Sequence, residues 1–442
     1  MAYTRHQRFV FSPWSLEGRV LLLPYRLESP GAIELTERIV FPADAPAPDA
    51  NDATTRAAID VLHLLAGVSY WKASTSPEVI TSNLSDDAAA LAQDVYTHGL
   101  AQFFHESQLD PSVAPAFRRG GTVPAPHPRP DGHRWLLMIG GGKDSAVSRE
   151  ILRDMDFDVD LLSVGASHWI RAQAAAMGDR HLVVHRLLDP QLAEMNAAGA
   201  TNGHVPITAV LAAISWVMCL AGGYAGAIAS NERSASVPST HWRGLDVNHQ
   251  WSKGIAFESA FQAVMRARSR PNPIWFSLLR PLSEVAIARR FADHERYFFA
   301  TTSCNANFRQ PGPQRDAPPR WCGVCPKCTF VYIVVGAFLS SDDRAKLFGS
   351  DFLVNAEIRV RDLAELEGPR PYECVGTPAE LSAAIGLWRE RGDWPASLAG
   401  VADALFARHP PTAALAEALT PSHDHCLPAG FYERLTDALD LT

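Results

Sequence analysis

The sequence predicts an α/β protein whose central part is a doubly wound parallel sheet with helices on both faces. Beyond residue 134, short runs of β-forming residues alternate with helical patterns, and this alternation favours a parallel sheet. The chain has 442 residues, of which 47% are hydrophobic and 20% charged, so two or three domains with buried cores are expected. A proline-rich stretch separates the central part from the residues before it.

An N-terminal α+β domain is predicted for residues 1–109. β-Forming residues in partial alternation predict strands between Phe9 and Phe41, and helical periodicity follows at Thr55–Ala66 and Ser85–Phe104. Residues 110–133 contain six prolines and a Gly-Gly pair. We therefore expect these residues to form a linker or a long surface loop at a domain boundary.

Residues 134–335 form the predicted sheet domain. Its strands are expected at Trp135–Ile139, Val159–Ser163, His181–Leu187, Ala225–Ala229 and Tyr297–Thr301. Its helices are expected at Ser145–Arg153, Trp169–Met177, Pro206–Leu220, Ser252–Arg266 and Ser283–Phe291. Residues 336–442 are predicted to be mainly helical.

Charge and hydropathy argue against several function classes. Forty basic and 48 acidic side chains give a net charge of −8, which does not favour nucleic acid or a membrane surface as the main partner. The longest apolar stretch, Ile207–Ala229, is broken by Gly222-Gly223, so we expect a buried helix, a turn and a short strand. The first residues lack a signal-peptide pattern, and the seven cysteines suit a reducing compartment. A cytoplasmic location is expected.

A glycine-rich loop follows the first strand of the predicted sheet domain. The sequence there is Gly140-Gly141-Gly142-Lys143-Asp144-Ser145, and a helix is predicted directly after it. Glycines let the backbone turn tightly and bring its N–H groups close to an anion, and the helix N-terminus adds its positive dipole end. Lys143 adds a charge and Ser145 a hydroxyl, while Asp144 suits either a helix cap or a Mg²⁺ ligand.

This loop resembles the PP-loop, SGGxDS, of the N-type ATP pyrophosphatases. It matches neither the dinucleotide fingerprint nor the P-loop pattern. The resemblance implies that the protein binds ATP with Mg²⁺, cleaves it to AMP and pyrophosphate, and adenylates a carbonyl or carboxylate. Gly140 stands where those enzymes carry serine, so one hydroxyl contact is absent.

Four cysteines form a candidate metal site. Three lie in Cys322-x-x-Cys325-x-x-Cys328, and Cys304 lies 18 residues upstream. Four thiolates at these spacings suit tetrahedral Zn²⁺, although a redox pair or an iron–sulfur cluster would use similar spacings. The arrangement is similar to that of 7-cyano-7-deazaguanine synthase, another PP-loop enzyme.

The chain as a whole resembles the UDP-N-acetyl-α-D-muramoyl-L-alanyl-L-glutamate epimerase family. The resemblance runs through most of the length, excluding the final ~65 residues, and includes a PP-loop that begins with glycine. The segments that carry it are TERIVFP (36–42), LLAGVSYWKA (64–73), MIGGGKDS (138–145), SNERSAS (230–236), VNHQWSKGIAFE (247–258), SLLRPLSEVAIAR (277–289), RWCGVCPKCTFVY (320–332) and RPYECVG (370–376).

Polar side chains in these segments are the candidate ligands and catalytic groups. SNERSAS follows an apolar strand at the carboxyl edge of the predicted sheet, where open α/β folds bind ligands. The candidates there for contacting phosphate, ribose or Mg²⁺ are Ser230, Asn231 and Glu232. Arg280 suits a carboxylate or phosphate ligand or, equally, a structural ion pair. The candidate catalytic residues are Lys143, Asp144, His249, Lys253 and Cys374.

The resemblance implies an ATP-dependent inversion of the terminal L-glutamate of a UDP-muramoyl dipeptide. A Cα proton beside a free carboxylate is barely acidic, because the carbanion would form next to a negative charge. An acyl-adenylate removes that charge and makes the carbonyl an electron sink, after which a base and an acid exchange the proton. Cys374, His249, Lys253 and Glu232 are all candidates for the base.

Two other readings compete with the epimerase. One is a PP-loop enzyme that modifies a nucleobase or tRNA, and the other is a nucleotide-binding module without catalysis. The cysteine cluster suits the first, but the negative charge and the absence of a basic arm do not. The intact Lys143-Asp144-Ser145 argues against the second. The sequence leaves the oligomeric state open.

Overall fold

The computed structural model describes residues 3–123, 127–128, 132–270, 273–307 and 319–439. Part of the predicted linker 110–133 therefore lies outside the described residues. The strands are β1 Arg8–Phe11, β2 Ser15–Glu17, β3 Val20–Glu28, β4 Ala32–Val40, β5 Glu78–Ile80, β6 His127–Pro128, β7 Trp135–Met138, β8 Val159–Val164, β9 His181–Leu187, β10 Gly226–Ala229, β11 Thr240–Trp242, β12 Leu245–Val247, β13 Ser269–Arg270 and β14 Ile274–Ser277.

The helices lie between these strands and dominate the last third of the chain, as predicted. They are α1 Ala53–Ala66, α2 Val68–Ser74, α3 Asp86–Thr97, α4 Ala101–Glu106, α5 Lys143–Asp154, α6 His168–Met177, α7 Gln191–Ala197, α8 Ile207–Gly222, α9 Ile255–Arg268, α10 Glu284–Ala292, α11 Pro326–Gly336, α12 Ser341–Phe348, α13 Glu357–Leu363, α14 Pro378–Glu390, α15 Ala399–Arg408, α16 Pro411–Leu419 and α17 Phe431–Ala438.

One large sheet joins most of the strands of the described residues. Its order is β14-β10-β7-β8-β9-β4-β3-β1-β5, with β2 paired to β3. The strands from β14 to β9 all pair in parallel, which confirms the predicted parallel arrangement of the central part. Helices cover both faces, because neighbouring side chains point to opposite sides. Leu137 and Phe276 pack with α5, α10 and α11, whereas Leu136 and Trp275 pack with α1, α8 and α9.

The N-terminal strands extend this same sheet. β4 pairs antiparallel with β9, so that Arg38 faces Leu187 and Ile39 faces Arg186. The fully buried Glu37 accepts two hydrogen bonds from the Arg186 guanidinium, at 2.7 and 2.9 Å. A bidentate pair of this kind fixes the register of the two strands. The division into the segments 1–109, 110–133, 134–335 and 336–442 stays a prediction.

Two predicted elements differ in the structure. The prediction of a strand at Tyr297–Thr301 was wrong: a 3₁₀ turn covers Glu295–Tyr297, and Ala300 N–H donates to Tyr297 C=O at 3.0 Å. The strand beside β10 is instead β14. Four of its five residues are buried but Phe299 is 64% exposed, so the apolar composition did not indicate strand pairing. The predicted helix Ser85–Phe104 breaks near Gly99, where a Cβ would lie 2.4 Å from the Val95 carbonyl oxygen.

The long apolar segment folds as predicted. Ile207–Gly222 forms the buried helix α8, Gly223 turns the chain with a φ of +68°, and β10 follows. Among the described residues, the search for a helix with the length and hydropathy needed to cross a bilayer finds none.

Candidate active site

The glycine loop connects β7 to the N-terminus of α5. Gly141 has a φ of +84°, a conformation that side chains other than glycine rarely adopt. Thr302 N–H donates to the Gly141 carbonyl at 2.9 Å, and a Cβ on Gly142 would lie 3.2 Å from Ser303 Oγ. No side chain caps α5 at Gly142. Residues 302–303 therefore hold the loop in place. The N-terminus of α5 has no side-chain cap, and such a helix end suits an anion.

A cavity of about 240 Å³ lies against this loop. It sits at the carboxyl ends of β7, β8 and β10, the edge where open parallel sheets bind ligands. The predicted site residues that line it are Gly140, Gly142, Lys143, Asp144, Ser145, Ser230, Asn231, Glu232, Lys253 and Cys374. The fold thus brings together predicted site residues from four separate sequence segments in one cavity.

Two polar atoms in this cavity have no protein partner. Ser230 Oγ and Asn231 Nδ2 are buried and make no hydrogen bond with any described residue. A buried polar atom without a partner costs about 1–3 kcal/mol. Both atoms therefore suit a polar ligand that enters the cavity.

The charges beside the glycine loop form a compact network. Buried Lys143 donates to Asp144 and to Glu284, which the sequence did not single out. Burial opposes the charge on Lys143, but the two carboxylates outweigh it and raise the lysine pKa. Burial also raises the pKa of Glu284. Ser145 Oγ donates to Gln173 Oε1 at 2.8 Å, which holds the first turn of α5 against α6.

On the other side of the cavity, Cys374 lies beside a lysine. Lys253 Nζ is 3.2 Å from Cys374 Sγ and 3.3 Å from Gln250 Oε1. Burial alone would raise the pKa of the thiol, but Lys253, Lys327 and His249 outweigh it and lower the pKa well below its usual value. The geometry therefore favours a thiolate at neutral pH, which can act as a base or a nucleophile.

His249 and Arg280 do not line the cavity, and both make hydrogen bonds to other residues of the protein. His249 Nδ1 lies 2.7 Å from Gln102 Oε1. Arg280, only 1% exposed, donates to Glu258 at 3.0 Å and to the backbone carbonyls of Glu232 and Lys253. These contacts include the ion pair with Glu258 that the sequence analysis gave as one role for Arg280, while ligand binding by Arg280 stays a prediction.

The four predicted cysteines come together as one cluster. The sulfur atoms of Cys304, Cys322, Cys325 and Cys328 all lie within 4.8 Å of one another, and those of Cys322 and Cys328 are 3.7 Å apart. Four sulfurs bound at ~2.3 Å to a tetrahedral Zn²⁺ would be separated by ~3.8 Å. The donor set and its spacing fit a metal ion such as zinc.

The cysteines of this cluster are next in sequence to residues that contact the glycine loop and to a residue that lines the cavity. Cys304 follows Thr302 and Ser303, which contact the glycine loop. Lys327, between Cys325 and Cys328, lines the cavity, and its backbone N–H donates to Glu373 Oε2 at 3.0 Å. Lys327 and Ser303 were not among the predicted site residues, although both lie next to predicted metal ligands.

Known proteins similar to this chain belong to one family. The family models described as "MurL N-terminal domain" and "MurL C-terminal domain" match residues 2–278 and 300–419. The UDP-N-acetyl-alpha-D-muramoyl-L-alanyl-L-glutamate epimerase of a Micromonospora species is 38% identical over 98% of both chains. The proteins of the same name from Salinispora tropica and Xanthomonas oryzae pv. oryzae are 36% and 39% identical, over 98% and 89% of this chain and 96% and 88% of their own lengths. The chain belongs to the family of the UDP-N-acetyl-α-D-muramoyl-L-alanyl-L-glutamate epimerases.

Proposed function

We propose that the protein is an ATP-dependent epimerase that converts the terminal L-glutamate of UDP-N-acetylmuramoyl-L-alanyl-L-glutamate to D-glutamate for peptidoglycan precursor synthesis. Family membership supports the substrate. The observation that carries the chemistry is that one cavity joins a glycine loop suited to phosphate with a thiol, Cys374, that lies 3.2 Å from the Lys253 ammonium. Seven cysteines, none of them in a disulfide among the described residues, are typical of a reducing compartment, so the proposal includes the cytoplasm.

The glycine loop would bind ATP as a PP-loop. The residues at the start of α5, Lys143 among them, line the cavity, and their backbone N–H groups and the lysine charge suit the phosphates. Asp144 and Glu232 also line the cavity and would hold Mg²⁺, because carboxylate oxygens are its preferred protein ligands. Bound there, Mg²⁺ would offset the charge that develops on the leaving pyrophosphate. Ser230 and Asn231 supply unpartnered polar atoms for the nucleotide.

Activation of the α-carboxylate is the step that ATP makes possible. The carboxylate oxygen attacks the α-phosphorus, pyrophosphate leaves, and the acyl-adenylate that forms carries no carboxylate charge. The Cα proton next to it becomes acidic enough for a protein base to remove. Returning a proton to the opposite face inverts the centre, and hydrolysis of the adenylate releases AMP and the D-epimer.

Cys374 is the base that the geometry favours over His249, Lys253 and Glu232. His249 does not line the cavity, and Lys253 keeps its proton because the neighbouring Cys374 and Glu232 raise its pKa against the effect of burial. Burial raises the pKa of Glu232, and the proposal already assigns this carboxylate to Mg²⁺. Cys374 lines the cavity, and Lys253 stabilises its thiolate. Lys253 would stabilise the thiolate again when the thiol returns its proton.

The test follows deuterium and nucleotide together. With the muramoyl dipeptide, ATP and Mg²⁺ in D₂O, the enzyme should yield AMP, pyrophosphate and Cα-deuterated glutamate of D configuration. The α,β-methylene analogue of ATP should support no exchange, because its α–β link cannot be cleaved. Cys374→Ala should still release AMP from the L-epimer but exchange no deuterium, whereas Cys426→Ala, outside the cavity, should behave as the wild type.

Two results would overturn parts of this proposal. If ADP were the nucleotide product, the glycine loop would not act as a PP-loop. If deuterium were exchanged without nucleotide, the enzyme would acidify Cα without activating the carboxylate. Normal exchange in Cys374→Ala would return the role of base to the other candidates.

A further inference from the structure

Three lysines line the cavity, and their surroundings differ. Lys143 is bound by Asp144 and Glu284, and Lys253 contacts Cys374 and Gln250. Lys327 also lines the cavity, and in the described part of the chain its ammonium makes no hydrogen bond and no ion pair within 4 Å; Glu373 and Cys374 are the nearby groups whose charges it influences. A lysine that lines a cavity and makes no hydrogen bond to a protein anion is available to an anion on the ligand.

The backbone of Lys327 is fixed more firmly than its side chain. Lys327 is the second residue of α11, and Cys325 Sγ accepts the N–H of Cys328 at 3.4 Å to cap this helix. Lys327 N–H itself donates to Glu373 Oε2 at 3.0 Å. The backbone of Lys327 is thus held in place next to the segment that contains Cys374, and the lysine side chain extends from this fixed position.

The terminal glutamate of the proposed substrate keeps one charge throughout the reaction. Activation consumes the α-carboxylate of the terminal glutamate, but the side-chain carboxylate stays ionised throughout. It lies three C–C bonds, roughly 4 Å, from the Cα that Cys374 must reach. Lys253 is already occupied by the thiolate. Lys327 is therefore the lysine on this side of the cavity that is available to a second anion.

We propose that Lys327 binds the side-chain carboxylate of the terminal glutamate and so makes the enzyme selective for an acidic residue at that position. This inference rests on the proposed epimerase function. Lys327 would orient the glutamate by one charge-assisted contact at the end of its side chain, while Cys374 acts at Cα. Lys143 and the glycine loop would bind the α-phosphate of ATP, in a different part of the cavity from the glutamate side chain.

The experiment compares muramoyl dipeptides that end in L-glutamate and in L-glutamine. Glutamine has the same shape but no charge, so the ratio of the two kcat/KM values for epimerisation measures the contact. The wild type should prefer glutamate by ~10²-fold or more, since its cation would be left unpaired by glutamine. In Lys327→Met the ratio should fall at least tenfold, whereas Lys327→Arg should retain most of it.

Controls separate binding from structure. Lys346→Met removes an exposed lysine of α12 outside the cavity and should leave the ratio unchanged. Lys253→Met should reduce both rates together, because it acts on Cys374. Since Lys327 lies between two cysteines of the cluster, metal content and melting temperature are measured for each variant. Lys327→Gln provides the same comparison if the methionine variant loses its metal.

The outcomes distinguish this inference from the proposed function. If the wild type epimerises neither dipeptide, the epimerase proposal fails. If it epimerises glutamate selectively and both neutral variants keep that selectivity, Lys327 does not read the side chain and the inference is wrong. A raised KM for ATP with an unchanged ratio would also overturn it, by making Lys327 a phosphate ligand.

Discussion

Replacing Lys253 with methionine should raise the pKa of Cys374 and remove its thiolate at neutral pH. Lys253 Nζ lies 3.2 Å from the sulfur, and opposite charges at ~4 Å attract by ~4 kcal/mol at an effective dielectric constant of ~20. His249 and Lys327 remain in the variant and still lower the pKa, so the pKa of Cys374 should rise but keep their contributions.

The assay is the rate of iodoacetamide alkylation as a function of pH, followed by mass spectrometry of the cysteine peptides. Cys374 should react at neutral pH in the wild type and only at alkaline pH in Lys253→Met. Cys426 provides an internal reference, because burial raises its pKa and it lies outside the cavity. Lys346→Met should leave the Cys374 profile unchanged. An identical profile in the wild type and Lys253→Met would refute the pairing of the two side chains.

Three further predictions concern metal and stability. The purified protein should hold about one Zn²⁺ per chain, and Cys322→Ser should lose it, as measured by elemental analysis. Glu37→Gln should lower the free energy of unfolding in urea by ~3–5 kcal/mol, because it leaves Arg186 charged, buried and partly unpaired. Burial lowers the pKa of His63 to about 4, so the unfolded chain takes up its proton first as the pH falls. Stability should therefore decline by ~3 kcal/mol between pH 6.5 and 4, and His63→Gln should flatten this decline.

Each of these predictions has a control on the same chain. Cys426→Ser should keep its zinc, and iron in place of zinc in the wild type would contradict the assignment. Glu34→Gln, on the exposed face of β4, should change stability by ~0.5 kcal/mol or less. His185→Gln, at an exposed position, should leave the pH dependence as it is. A pH dependence that His63→Gln does not reduce would assign the decline to other groups.

Local patterns predicted most of the fold. The alternation of β7, α5, β8, α6 and β9 was readable because each element carries its own periodicity and boundary signals. Tyr297–Thr301 was misassigned because a short run of apolar residues gives the same sequence signal in a strand and in a turn. The pairing of β4 with β9 joins residues about 150 positions apart, and no local signal encodes it.

The site divides in the same way. The glycine loop and the four cysteines were found because their ligand groups lie at short, fixed spacings. Glu284 and Lys327 were missed, since a single charged residue on a helix gives no sign of which cavity it faces. The contact of Lys253 with Cys374 spans 121 positions, so the sequence could name both as candidates but could not pair them.

Because one sheet includes strands from both sides of residue 134, fragments of this protein should behave differently from the whole chain. A fragment beginning at residue 134 would lack β4, and the backbone N–H and C=O groups of β9 that β4 covers would form an open edge. Open edges recruit strands from other molecules and promote aggregation. The side chain of Arg186 would lose Glu37 as well. Such a fragment should be insoluble alone and rescued by co-expression with residues 1–133, which makes the chain suited to a split reporter rather than to domain dissection.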